Sequence, residues 1–118
     1  MRLDQQGIYL YGVARRDAAG EAVRSQGVQP GEAVELIQIG ALALAVSRAS
    51  LQDLAPERVS QHIKAREVAW LEERALAHAT VLQELMRRGP VVPVRFGVLF
   101  RDVNCLRSAM AVREIELM

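Results

Sequence analysis

Two histidines and one cysteine are the soft ligands and strong nucleophiles this chain holds. His62 and His78 stand sixteen residues apart, and no carboxylate–histidine pair has the i, i+4 spacing of a helical metal site. Zinc needs clustered ligands, so neither a metal nor another cofactor is expected. Ser108, His78 and Asp102 supply the residue types of an acyl-transfer triad, but so does almost any chain of this size. There is no Gly-x-Ser-x-Gly elbow. Gly7 and Gly12 bracket Ile8-Tyr9-Leu10-Tyr11 inside a strand-like run instead of following one, so they form no phosphate loop. No set of residues meets the combined need for nucleophile, oriented base and oxyanion donor. Catalysis is not expected.

The distinctive chemistry is a charge within an apolar, proline-marked run. Gly89-Pro90-Val91-Val92-Pro93-Val94-Arg95-Phe96-Gly97-Val98-Leu99-Phe100 reads as one strand over Val91 to Phe100. Proline has no N–H to give a ladder, so Pro93 belongs at a strand start, an edge or a bulge. Gly97 can relax the pairing or accept a bulge. Arg95 is costly to bury unless paired. Two readings stand: a structural ion pair with a buried carboxylate, or a contact to a partner.

The elements that position this run follow from pattern. Ile8 to Ala14 is rich in strand formers and makes the first strand. Arg15 to Gly31 is polar and glycine-punctuated, with a possible short helical turn over 18–25 and a turn at Pro30-Gly31. Ala33 to Ile39 and Ala41 to Ser47 predict an antiparallel hairpin about Gly40, with Leu42, Leu44 and Val46 on one face and alanines on the other. Ser50 to Asp53 has capping-box spacing, and Pro56 suits a first helical turn. No glycine or proline interrupts Glu57 to Arg88. Leu71, Ala75, His78, Leu82, Leu85 and Met86 recur at helical spacing and predict a long amphipathic helix, clearest from Val68 onward. Gly89-Pro90 ends it. Asp102 is placed to cap a last helix through Leu106 and Met110. The fold class expected is α+β: an antiparallel sheet of about four strands, with a long and a shorter C-terminal helix on one face, a ferredoxin-like variant.

Composition bounds the partners. The 118 residues suit a single domain, residues 1–118. Fifteen basic residues against fourteen acidic leave a net charge of +1, which gives no reason to expect nucleic acid or a membrane surface as partner. With aromatics at 4%, a base-stacking surface is not expected either. The single Cys105 forms no intrachain disulfide and reads as a reduced, buried thiol. Met1 to Gln6 lack a signal peptide's apolar core, and the apolar run Ile39 to Val46 is far short of the roughly 18 residues of a spanning helix. A cytoplasmic location is expected.

Single residues take structural readings first. His78, on the apolar stripe, is expected to pack and to donate one N–H to a backbone or carboxylate group. Trp70 is expected to cover the sheet, Arg15-Arg16 to sit at a solvated strand end, and Arg87-Arg88 to complement the helix dipole.

Three segments in order resemble the N-terminal half of the GvpF/GvpL family of gas vesicle proteins. They are Gly7 to Val13, then Trp70 to Leu82 with its central His78 and the Val81-Leu82 pair, then Gly89 to Phe100, the most specific of the three. Ile39 to Ser47 is similar to the family's second hairpin. Val98 stands where the family usually has Thr, and Ala79 where it often has Glu. The resemblance spans about residues 7 to 110 and about half of a usual member, so a second domain is expected to be absent here. It implies a non-enzymatic role in gas vesicle assembly, or as a minor structural component of the vesicle. The implied partners are the hydrophobic shell protein GvpA and other gas vesicle accessory proteins. Such a role asks for an apolar patch or an open sheet edge. The expected contact residues are Pro93, Arg95, Phe96, Val98 and Phe100. The rival expectation is a small-molecule-binding regulatory module, which needs a concave pocket with converging polar groups.

Overall fold

A computed structural model describes residues 6–15, 17, 23–51 and 68–117, with backbone only for Val68 and 111–117. The helical turn expected near 18–25, the Gln52–Asp53 part of the capping box, Arg16, Pro56, His62 and the first half of the long helix fall wholly or mainly outside these residues.

The order is β1 (Gln6–Arg15), β2 (Glu35–Ile39), β3 (Leu42–Ser50), α1 (Val68–Arg88), β4 (Val91–Pro93), β5 (Leu99–Phe100) and α2 (Val103–Leu117). The strands form one antiparallel sheet in the order β2-β3-β1-β4, with β5 also paired to β1. The α+β class and antiparallel sheet expected from sequence are present. Ile39 pairs with Leu42 across Gly40-Ala41, and Gly40 takes φ 58°, as the first residue of a primed two-residue turn requires.

β1 and β3 are apolar on both faces, and this sets the layers. A bulge between Leu10 and Gly12 inserts Tyr11, so Leu10 and Val13, three apart, face the same way. They join Leu42, Leu44 and Val46 beneath Leu106 and Met110 of α2. On the opposite face Tyr9 and Tyr11 lie over Ala45 and Ala49, with Val81 and Leu85 of α1 and Val23, Val28 and Val34 of the long β1–β2 connection. The alanines make room for the two tyrosine rings. The helices therefore cover opposite faces, not one as expected. A single helix layer would leave the large residues of β3 in water, at about 25 cal/mol per Å².

Three further expectations are corrected. The buried side of α1 runs through His78, Val81 and Leu85, with Trp70 and Ala77 half-buried. Ala75 is exposed and Leu71 and Leu82 are only half-buried, so the stripe lies about one residue off the expected one. Cys105 is exposed, in the first turn of α2. The run from Val91 to Phe100 is two short strands with a five-residue excursion, Val94 to Val98, between them. Other expectations stand. Asp102 Oδ1 accepts the Cys105 N–H at 2.8 Å as the α2 cap. Trp70 packs against the core with the Arg74 guanidinium over its ring at 5.1 Å.

Candidate functional site

The proline-marked run forms the outer edge beyond β1. Gly12 pairs with Pro93 and Tyr9 with Leu99, so five edge residues span what β1 covers with Leu10 and Tyr11. The ladder does not lapse: Val94 N–H donates to Tyr11 O at 3.0 Å, and Leu10 N–H to Val98 O at 3.1 Å. Arg95, Phe96 and Gly97 bulge from it. Gly97 takes φ 95°, a conformation that favours glycine. Pro93 is at the sheet edge, as its missing N–H demands.

A buried polar chain anchors this bulge. His78 Nε2 lies 2.7 Å from Val94 O, a carbonyl that can only accept, so Nε2 carries the proton. Nδ1 is then the acceptor and takes the Tyr9 hydroxyl proton at 2.7 Å. The Tyr9 oxygen in turn accepts the Gly97 N–H at 3.0 Å. Helix, central strand and both ends of the bulge are thereby joined through Val94 O, both His78 ring nitrogens, the Tyr9 hydroxyl and the Gly97 N–H. Phe96 closes the cluster, its ring centroid 5.9 Å from His78 and 6.1 Å from Tyr9. A second bond set holds the neighbouring loop: the Tyr11 hydroxyl accepts Val28 N–H at 2.8 Å and lies 2.7 Å from Ser47 Oγ. Burial raises the pKa of both tyrosines, so they remain neutral donors.

The expected contact residues are not one patch. Pro93 and Arg95 are exposed, and Val92 beside them is 49% exposed. Phe96 packs toward the α1 face, whereas Val98 and Phe100 are half-buried toward the α2 face. The structural ion pair considered for Arg95 does not form among the described residues. Its charge stands in solvent at the tip of an anchored bulge. His78 donates to a backbone carbonyl, one of the two outcomes expected of it. The hydroxyl–imidazole pairing was not foreseen. Its signal was two tyrosines two apart on a strand otherwise aliphatic, each needing a buried partner for its O–H.

Glu84 of α1 clamps the loop before β2. It accepts Arg24 N–H and Ser25 N–H, each at 2.8 Å, the Ser25 hydroxyl at 2.6 Å, and Arg88 at 2.8 Å. Burial pushes its pKa up, but these donors outweigh it and hold the carboxyl at about 2, below its ordinary 4.5. Burial lowers the pKa of His78 below its ordinary 6.5, against a smaller opposing effect of the Val94 bond. Both groups bind protons more readily in the unfolded chain, so acid favours unfolding. Stability is expected to be full above about pH 6.5, to drop as His78 is forced to charge below it, and to drop again between about 4.5 and 2 as Glu84 is protonated. Urea melts across pH 2–8 check this, and Glu84→Gln should flatten the lower limb alone.

Among the described residues no three His, Cys, Asp or Glu side chains gather to hold a metal ion, and no helix is long and apolar enough to cross a membrane. The sheet edge from Val91 to Phe100 carries a bulge tied to α1 and β1 by hydrogen bonds. The family model described as gas vesicle synthesis protein GvpL/GvpF matches residues 7–117 of this chain. The chain belongs to the GvpL/GvpF family. The match takes in the whole anchored edge, with Tyr9, His78 and the run from Gly89 to Phe100. A gas vesicle protein F from Streptomyces sp. (strain CB03234) is 32% identical over 107 residues, which are 90% of this GvpL/GvpF chain and 39% of that relative. The chain thus spans about two fifths of the length of the curated relative it matches. No solved structure matches it. It is a gas vesicle protein of α+β architecture.

Proposed function

We propose that this domain serves the assembly of gas vesicles as a non-catalytic accessory or minor structural component. It binds the hydrophobic shell protein GvpA, and other gas vesicle accessory proteins, at the edge from Val91 to Phe100. It does so in the cytoplasm, at the growing vesicle, and without a cofactor. The observation that carries this reading is the pinned bulge. Val92, Pro93 and Arg95 are presented outward on a backbone fixed from behind by His78 and Tyr9. A rigid edge loses little entropy when a partner docks. Val92 offers apolar area, Pro93 blocks unspecific strand addition at its own position, and Arg95 offers a charge to a partner carboxylate.

The test is capture of purified GvpA by this chain at low and high salt, beside a thermal melt. Arg95→Ala is expected to leave the melt unchanged, because the side chain is exposed, and to weaken capture several-fold at low salt. The apolar part of the contact should persist at high salt, since it is not screened as ion pairs are. Undetectable capture by the folded wild-type chain at both salt concentrations would remove the shell protein as a partner of this domain.

A further inference from the structure

We infer that the outward face of α1 pairs two copies of this chain antiparallel, about a two-fold axis at Ala79. Directly opposite the side buried against the sheet stand Glu72, Leu76, Ala79, Gln83 and Met86. Their spacing of four, three, four and three residues is that of a coiled-coil seam. All five are exposed; Leu76 at 68% and Met86 at 59% are large apolar side chains in water. Ala79, at the middle of this stripe, has no side chain beyond Cβ and lets two backbones approach closely.

Charge selects the occupant and its direction. The stripe begins beside Glu72 and Glu73 and ends beside Arg87, all three exposed. Among the described residues neither Glu72 nor Arg87 has an ion-pair partner. Two copies side by side in parallel would set Glu72 against Glu72 and Arg87 against Arg87. Reversing one copy about Ala79 sets Glu72 against Arg87 twice, by symmetry, and opposes the helix dipoles. The axial heights agree: Glu72 lies seven residues before Ala79 and Arg87 eight after, a mismatch of about 1.5 Å. Leu76 then packs on the stem of Gln83 of the other copy, and Met86 on that of Glu72. The chain's own pattern is thus complementary to itself when reversed. This face lies away from the Val91–Phe100 edge in sequence and makes no use of the anchored bulge.

Sedimentation of the whole chain under reducing conditions tests this, with Cys105 thereby kept from cross-linking. A single helix pair buries less than the usual interface of about 800 Å² per partner, so a reversible dimer with a dissociation constant on the order of 10–100 µM is expected. Ala79→Arg puts two guanidinium groups on the axis and should weaken the dimer at least about tenfold without altering the melt, arginine being a good helix former at an exposed site. Glu72→Arg should weaken it several-fold, and the double variant Glu72→Arg/Arg87→Glu should restore it. A chain that stays monomeric to millimolar concentration overturns the proposal and leaves this face to a different helix. A dimer indifferent to Ala79→Arg, or one not restored by the charge exchange, also overturns it and moves the contact elsewhere, the β2 edge foremost.

Discussion

Tyr9→Phe is expected to destabilise the fold by about 2–5 kcal/mol, although it removes a single oxygen. Two groups lose their partner at once: the buried His78 Nδ1 its donor, and the half-buried Gly97 N–H its acceptor. Each unsatisfied buried polar group costs about 1–3 kcal/mol, and the ring's packing is unchanged. Tyr9 itself is fully buried, so the His78 Nδ1 left behind faces the phenylalanine ring and not solvent. The loss should be local as well as global. The Gly97 amide, freed of its acceptor, should exchange with solvent much faster than in the parent chain. A denaturant melt showing less than about 0.5 kcal/mol of change would mean that the hydroxyl–imidazole bond does not hold the bulge.

Leu85→Ala is expected to cost about 2–5 kcal/mol, the range of large-to-small changes in a packed core. Leu85 is 2% exposed, on the side of α1 that faces Tyr9 and Tyr11. Leu82→Ala, three residues earlier, should cost clearly less, about 1 kcal/mol, because Leu82 is only half-buried. The pair is informative because periodicity in the sequence placed both residues on one buried stripe. Equal costs would restore that stripe and contradict the observed rotation of the helix. Paired urea melts of the two variants read the difference directly.

Where sequence and structure agree, the controlling physics is local. Gly40 needs a positive φ in a two-residue turn, so the hairpin was legible from one glycine between two strand-like runs. Asp102 was legible as a cap because capping depends on three or four neighbouring residues. Pro93 was legible as an edge residue because a missing N–H acts wherever the residue stands. Where they part, the decision is made at long range. The helices lie on opposite faces because bulky residues of β1 and β3 point both ways. The bulge that brings Leu10 and Val13 to one side leaves no mark in the alternation of β1 alone. The break in the Val91–Phe100 run depends on Tyr9 drawing Gly97 inward from 88 residues away and on His78 drawing Val94 inward from 16. Arg95 was open between an internal and an external role. Only the placement of every carboxylate around it could choose, and the described residues leave it in solvent. The rotation of α1 follows from the same cause as the anchor: His78 must reach both Tyr9 and Val94, and that fixes which residues flank it.

Whether the shell protein docks on this edge is tested most directly by amide hydrogen exchange of the folded chain, alone and with GvpA bound. Slowed exchange is predicted at Val91, Val92, Arg95 and Phe96, with the amides of β2 unchanged. Arg95→Ala should reduce that protection without lowering the melting temperature. Protection confined to β2 or to the outer face of α1, with the Val91–Phe100 amides exchanging as in the free chain, would contradict the assignment.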